Sequence, residues 1–123
     1  MEILLLMLLL QAKHWYADFW IQTYDQTVKK GLYGDPVGIS HSLDHMLWTL
    51  IALLIFSLIH PVEPVMILTI SILEGFIHYH IDWFKVKYGI KDITKPRYWR
   101  EFGADQFAHQ LTYLAIIWFL LLR

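Results

Sequence analysis

The sequence predicts an all-α fold: a four-helix up-down-up-down transmembrane bundle that forms one domain over residues 1–123. One reason is composition, since 57% of the residues are hydrophobic and the mean hydropathy is +0.43. A chain of 123 residues has too small an interior to bury that much apolar surface in water. The other reason is the position of the turns, because Gly- and Pro-containing turns divide the chain into four apolar stretches. A lipid bilayer is therefore the expected solvent.

The first predicted helix runs from about Glu2 to Lys30 and ends before the turn at 31–36. We interpret it as a retained membrane helix and not as a cleaved leader. Glu2 stands where a signal peptide carries basic residues, and no small-x-small cleavage site follows the apolar run.

Three more helices follow. The second is predicted from near Ser40, a suitable N-cap residue, to Ile59. After the turn at 60–64, with its two prolines, a third helix is predicted over about 65–86. The fourth is predicted over about 104–122, and residues 96–102 form a short interfacial helix between the third and the fourth.

A soluble four-helix bundle remains an alternative, because no uninterrupted apolar run reaches the ~18 residues of a simple membrane span. Such a bundle should alternate apolar faces with faces rich in Glu and Lys. The four stretches lack those charged faces.

The basic residues predict the topology. Lys29 and Lys30 lie in the first connection, six more Lys and Arg lie at or in the 87–103 connection, and the 60–64 turn has none. By the positive-inside rule both basic connections are cytoplasmic, which places both termini on the outer side of the membrane. A formal net charge of -1 argues against a nucleic-acid partner.

Side chains that can bind metals recur as four i, i+4 pairs, one in each predicted helix. Two residues at this spacing leave the same face of a helix, one turn apart. In the up-down-up-down arrangement all four pairs fall toward the cytoplasmic end. The pairs are His14/Asp18, His41/His45, His78/Asp82 and Asp105/His109.

These eight residues predict a metal centre built from facing helices. The chain has no Cys, so any metal must be held by nitrogen and oxygen. Five His and three Asp suffice for two divalent ions, and zinc or manganese is favoured over iron. Two structural alternatives stay open: the set as a whole can be buried polar groups bonding across helices, and Asp105 can be a helix N-cap.

Glu74 lies one turn before His78 on the same face, at a depth where an ionisable group indicates function. It can be a ligand, a partner to a His N–H, or a general base; we predict the catalytic role. His60 and His80 are left out of the site as interfacial anchors. Four further polar residues are predicted to support the ligands or contact a substrate: Gln22, Asp44, Lys85 and Gln106.

Four sequence blocks carry a family resemblance: HWYADFWIQ (14–22), HSLDH (41–45), HYHIDWFK (78–85) and DQFAH (105–109). With these blocks in order, the chain resembles the domain-of-unknown-function family 3307, small multi-pass membrane proteins of bacteria and phages. The resemblance implies the fold and the ligand set and no activity. The spacing is more distantly similar to that of membrane-bound metal-dependent hydrolases, an analogy that transfers no function.

The function that best fits this pattern is metal-dependent hydrolysis of a lipid or lipid-linked phosphoester or ester at the cytoplasmic leaflet. Paired metal ions would polarise a phosphoryl or acyl oxygen, and the basic loop would attract an anionic head group. One alternative is a non-haem di-iron oxygenase or hydroxylase. Another is a non-enzymatic phage or bacterial membrane protein with a structural metal. The sequence leaves a homo-oligomer open.

Overall fold

A computed structural model of the chain, which describes residues 1–122, confirms the all-α class. It contains five helices and, in the described residues, no strand. The helices are α1 (Glu2–Phe19), α2 (Tyr24–Lys29), α3 (Pro36–Ser57), α4 (Pro64–Tyr88) and α5 (Pro96–Leu121).

The four long helices form a bundle in which each packs against two others. α3 lies between α1 and α4, and α5 lies between α4 and α1. The short α2 packs against α3. The α3–α4 and α4–α5 connections are short, as expected for antiparallel neighbours, whereas α1 and α3 are joined through α2.

The prediction of one helix over residues 2–30 is wrong, because the chain divides there into α1 and α2. α1 ends at Phe19, and Thr23 begins a new helix through a capping box. The Thr23 hydroxyl accepts from Gln26 N (3.2 Å), and the Gln26 side chain accepts from Thr23 N (2.9 Å). This reciprocal cap satisfies two donors that a continuous helix would have bonded internally.

Two further boundary predictions are wrong. α3 begins at Pro36 and not near Ser40, because the Asp35 side chain caps the helix by accepting from Val37 N (2.9 Å). The 96–102 segment is not a separate interfacial helix; it forms the first two turns of α5, which starts with Pro96 at its first position. Asp105 therefore lies inside a helix, which excludes the N-cap interpretation.

The bundle interior has two halves of different chemistry. One half is an apolar core that includes Leu6, Leu53, Phe56 and Ile117. The other half contains the His and Asp side chains. α3 and α4 approach closely at Gly75, where a Cβ would lie 3.0 Å from Met46 Cβ.

Two helices, α3 and α4, are long and apolar enough to cross a membrane. α1 carries three charged residues within 18, and the first half of α5 is polar. Many large apolar side chains nevertheless point outward on all four long helices, among them Leu8, Leu54, Phe76 and Trp118. Contiguous exposed apolar surface of this kind suits contact with lipid.

Candidate metal centre

The structure brings the four predicted pairs together at one end of the bundle. They come from the last turns of α1, the start of α3, the last third of α4 and the first half of α5. His41, His45, His78, Asp82 and His109 are each at most 2% exposed. The spacing on each helix and the antiparallel packing therefore place the ligand pairs as the sequence predicts.

Asp18 is the centre of the first group of potential ligands. Its Oδ1 lies 2.9 Å from His45 Nε2 and 3.1 Å from His41 Nε2. His78 Nε2 is 3.9 Å from the same oxygen. These four side chains can each offer one atom to a common metal ion.

Asp82 is the centre of the second group. Its Oδ2 lies 3.3 Å from His78 Nε2, and its Oδ1 lies 3.4 Å from His109 Nε2. The same Oδ2 is 3.2 Å from His41 Nε2, which links the second group to the first. His78 belongs to both groups, so the two lie side by side.

The donor atoms fit a metal ion better than they fit one another. Both ring nitrogens of His41 and of His78, with His109 Nε2 and Asp82 Oδ2, are buried and lack a hydrogen bond of acceptable geometry. Buried polar atoms are rarely left unsatisfied. Ligand atoms about 2.0–2.2 Å from a tetrahedral ion lie about 3.3–3.6 Å apart, close to the separations measured here.

The imidazole rings are packed against one another. The His78 ring lies between those of His45 and His109, with centroid distances of 3.4 and 4.1 Å. Three rings at this spacing cannot all carry charge without strong repulsion. The stack therefore limits how many of the three rings can be protonated at once, and a metal binds the neutral form.

His14 and Asp105 lie at the edge of the cluster. The His14 ring nitrogens face Tyr113 Oη (2.8 Å) and Gln106 Oε1 (3.0 Å), although Nε2 is also 3.3 Å from Asp18 Oδ2. Asp105 Oδ1 is 3.6 Å from His109 Nε2. Neither residue joins the two compact groups, and their role as ligands stays a prediction.

Glu74 lies behind the ligands, in a buried network with Lys13. Lys13 Nζ donates to Glu74 Oε1 (2.6 Å), and Thr49 Oγ1 donates to Glu74 Oε2 (2.9 Å). Glu74 Oε1 is also 3.7 Å from His78 Nδ1. That distance is too long for a hydrogen bond, so Glu74 acts on the His78 ring through its charge.

A chain of polar contacts connects Glu74 with Asp18. Lys13 Nζ lies 3.2 Å from His45 Nδ1, and His45 Nε2 lies 2.9 Å from Asp18 Oδ1. The ammonium group favours the tautomer in which Nδ1 accepts and Nε2–H donates to Asp18. For His45 Nε2 to bind an ion, the ring proton must instead lie on Nδ1.

A second buried lysine, Lys30, contacts the centre from outside the long helices. Its Nζ lies 3.0 Å from Asp82 Oδ2. Burial alone would lower the pKa of Lys30, but the carboxylates of Asp82 and Asp18 raise it above its usual value. Gly38 permits this contact, because a Cβ there would lie 2.9 Å from the Lys29 and Lys30 backbone.

A cavity of about 460 Å³ opens next to the cluster. Its lining includes two of the predicted ligands, Asp18 and Asp105, and three lysines, Lys30, Lys85 and Lys91. A concave, cationic cavity beside potential metal ligands can admit an anionic molecule.

The four predicted supporting residues lie at different distances from the cluster. Gln106 contacts His14, and Gln22 donates to Asp18 O (2.6 Å), while its buried Oε1 has no hydrogen bond. Asp44 instead accepts from Gln26 Nε2 (2.9 Å), which ties α3 to α2. Lys85 lines the cavity.

The two excluded histidines lie outside the cluster. His60 Nδ1 is 3.2 Å from Glu2 Oε1, at the opposite end of the bundle. His80 contacts Phe76 O (2.8 Å) and Tyr33 Oη (3.3 Å) on the outer face of α4.

Sequence reasoning missed Lys13, Lys30, Thr49 and Tyr113. Lys13 carried a usable signal, since a lone lysine inside an apolar helix needs a buried partner as much as Glu74 does. Tyr113 lies one turn after His109 and continues the Asp105/His109 face. No signal in the sequence indicated a buried role for Lys30. With one helix predicted over residues 2–30, the turn that returns Lys30 to the bundle was not expected.

Comparison with known proteins agrees with the resemblance in the four sequence blocks. The family model described as "Protein of unknown function (DUF3307)" matches residues 4–123. No curated protein and no solved structure matches the chain. The match covers nearly the whole chain, and the chain therefore belongs to the DUF3307 family.

Proposed function

We propose that this protein is an integral membrane metalloenzyme that hydrolyses an anionic lipid or lipid-linked phosphoester. The observation that carries the proposal is the buried His/Asp cluster, in which several donor atoms lack hydrogen bonds and which adjoins a cationic cavity. Such a combination suits a site where a metal acts on an anionic substrate.

Two divalent ions would be held by the two adjacent groups, one around Asp18 and one around Asp82. When bound, the ions would supply Lewis-acid polarisation of a phosphoryl oxygen and an activated water. His41, His78 and His109 would be the principal nitrogen ligands, because their nitrogens have no competing hydrogen bonds.

The chain's other residues would bind and orient the substrate and move the proton. Lys85 and Lys91 at the cavity would attract the anionic head group. Glu74 would accept the proton, as its position in the sequence suggested. Lys13, which donates to Glu74 Oε1, would be the immediate partner of Glu74 in that transfer.

The proposed topology has four spans, formed by α1, α3, α4 and α5, with both termini periplasmic and the α4–α5 connection cytoplasmic. Two candidate spans support the membrane location. The outward-facing apolar residues of α1 and α5, such as Leu4, Leu8 and Leu114, support the other two spans. The metal centre would then lie at the depth of the cytoplasmic leaflet.

Elemental analysis of the purified protein tests the core of the proposal. We expect about two equivalents of zinc or manganese per chain, and the His78→Ala variant should lose most of the metal because His78 belongs to both groups. The His80→Ala variant is the matched control and should keep its metal.

Other results would contradict the proposal in identifiable ways. A protein without bound metal removes its basis. Two equivalents of iron would favour an oxygenase over a hydrolase. Equal metal loss in the His78 and His80 variants would show that the cluster is not the binding site.

A further inference from the structure

The polar cavity beside the metal centre continues sideways into a groove between α4 and α5. The adjoining cavity, of about 600 Å³, shares Lys85, Gly89 and Asp105 with it. Asp105 is 8% exposed, and its Oδ1, without a hydrogen bond, lies where the two cavities meet. Asp105, at the edge of the cluster, is therefore reachable from the side of the bundle.

The groove runs on along the same two helices toward the other end of the bundle. A second cavity of about 610 Å³ lies between α4 and α5 and is lined on α4 by Ile77, Leu73 and Ile70. On α5 the lining includes small residues at successive turns, Ala104, Ala108, Thr112 and Ala115, and larger ones, Ile116, Trp118 and Phe119, toward the far end. Short side chains at successive turns leave a channel that larger ones would fill.

The two ends of the groove differ in charge. Lys85 and Arg97 lie at the end near the metal centre. Arg97 is paired with Glu101 (2.6 Å), whereas Lys85 has no carboxylate within salt-bridge distance in the part of the chain that the structure describes. The remaining lining is mostly apolar, and it also includes Asp105 near the metal centre and Glu63 and Glu74 along the second cavity. Lys85 therefore places a cation at one end of a mostly apolar groove, which is complementary to a molecule with an anionic head and a hydrocarbon tail.

The dimensions match an acyl chain. Half of the ~30 Å hydrocarbon thickness is about 15 Å, which corresponds to about ten residues of helix. A chain that starts at Lys85 and extends that far passes Ile81 and Ile77 and ends near Gly75, so it occupies the first cavity and enters the second.

We propose that the α4/α5 groove binds one acyl chain of an anionic phospholipid and so places its phosphate at the Lys85 end, next to Asp105. This inference deepens the proposed function and rests on it for the identity of the lipid as a substrate. The groove selects a substrate that enters laterally from the bilayer, and it excludes water-soluble phosphoesters as the principal substrates.

A lipid-binding measurement in the absence of metal tests the groove separately from catalysis. The protein is purified in detergent with a chelator, and binding of dioleoyl phosphatidic acid is measured by native mass spectrometry. Ala108→Trp should fill the groove and weaken binding about tenfold or more, the effect of excluding a few methylene groups from apolar contact. Ala12→Trp, at an exposed position of α1 that lines none of these cavities, is the matched control and should bind like the wild type.

Two additions keep the test decisive. Ala115→Trp, at an exposed position, provides a second block should the Ala108 variant fail to fold, and circular dichroism confirms the fold of each variant. Equal phosphatidic acid binding by the blocked and control variants would show ordinary lipid contact and overturn the proposal. Groove-dependent binding, together with no bound metal in protein purified without a chelator, would support the groove and refute the proposed hydrolysis.

Discussion

The buried pair of Lys13 and Glu74 makes a strong quantitative prediction about stability. The two side chains are 3% and 2% exposed and lie 2.6 Å apart. At an effective dielectric constant of about 20 the gross attraction at that distance is about 6 kcal/mol, and desolvation offsets much of it. Lys13→Met keeps the aliphatic stem and leaves the carboxylate with Thr49 as its remaining donor. It should lower the free energy of unfolding by about 3–5 kcal/mol.

A double-mutant cycle separates this pair from general packing effects. Lys13→Met, Glu74→Gln and the combined variant are unfolded by titrating denaturing detergent into mixed micelles, with metal removed by a chelator. The combined variant should lose at least about 2 kcal/mol less than the sum of the single losses, because neither charge is then left alone. Arg97→Met, which breaks an exposed pair, should change stability little. Additive losses in the cycle would refute the interpretation.

Three other outcomes are expected. In the same unfolding assay, Gly75→Ala should destabilise the fold by about 1–3 kcal/mol through overpacking against Met46. Gly103→Ala is the control: a Cβ at that position meets open space, so the substitution should be neutral or stabilising. Cysteine introduced at Lys91 should react with an impermeant thiol reagent only after the cells are opened; labelling of intact cells would reverse the topology. Metal occupancy should fall as the solution is acidified, because protons compete with the metal for the imidazole nitrogens, and pH-independent occupancy would point away from histidine ligands.

The ligand pairs were predictable because helical spacing acts locally. His78 and Asp82 share a face wherever that stretch is helical, and the same holds for His41 and His45. Short connections then bring all the pairs to one end of the bundle. The helix boundaries were less predictable. The break after Phe19 depends on the Thr23–Gln26 capping box, and the capping box competes with an apolar pattern that favours one long helix.

The partners of the ligands were harder to predict, because they depend on packing between distant segments. Lys13 and Glu74 are 61 residues apart, and only the packing of the bundle, in which α3 lies between α1 and α4, shows that they pair. Lys30 contacts Asp82 because Gly38 lets the end of α2 approach α3 closely. A basic residue in a connection is more often a determinant of topology, and periodicity contains no information that distinguishes the two roles.

The buried charges suggest how the centre can hold two ions. The pairs Lys13/Glu74 and Lys30/Asp82 are each neutral overall, so Asp18 and Asp105 contribute the two uncompensated negative charges. With neutral imidazoles, one divalent ion neutralises the site, and a second leaves an excess of two positive charges. Placing that excess in a buried site is costly unless an anion accompanies it. The second ion should therefore bind more weakly than the first and more tightly when an anionic phosphoester occupies the adjacent cavity. Metal and substrate binding would then reinforce each other, a coupling that suits an enzyme and that a purely structural metal would not need.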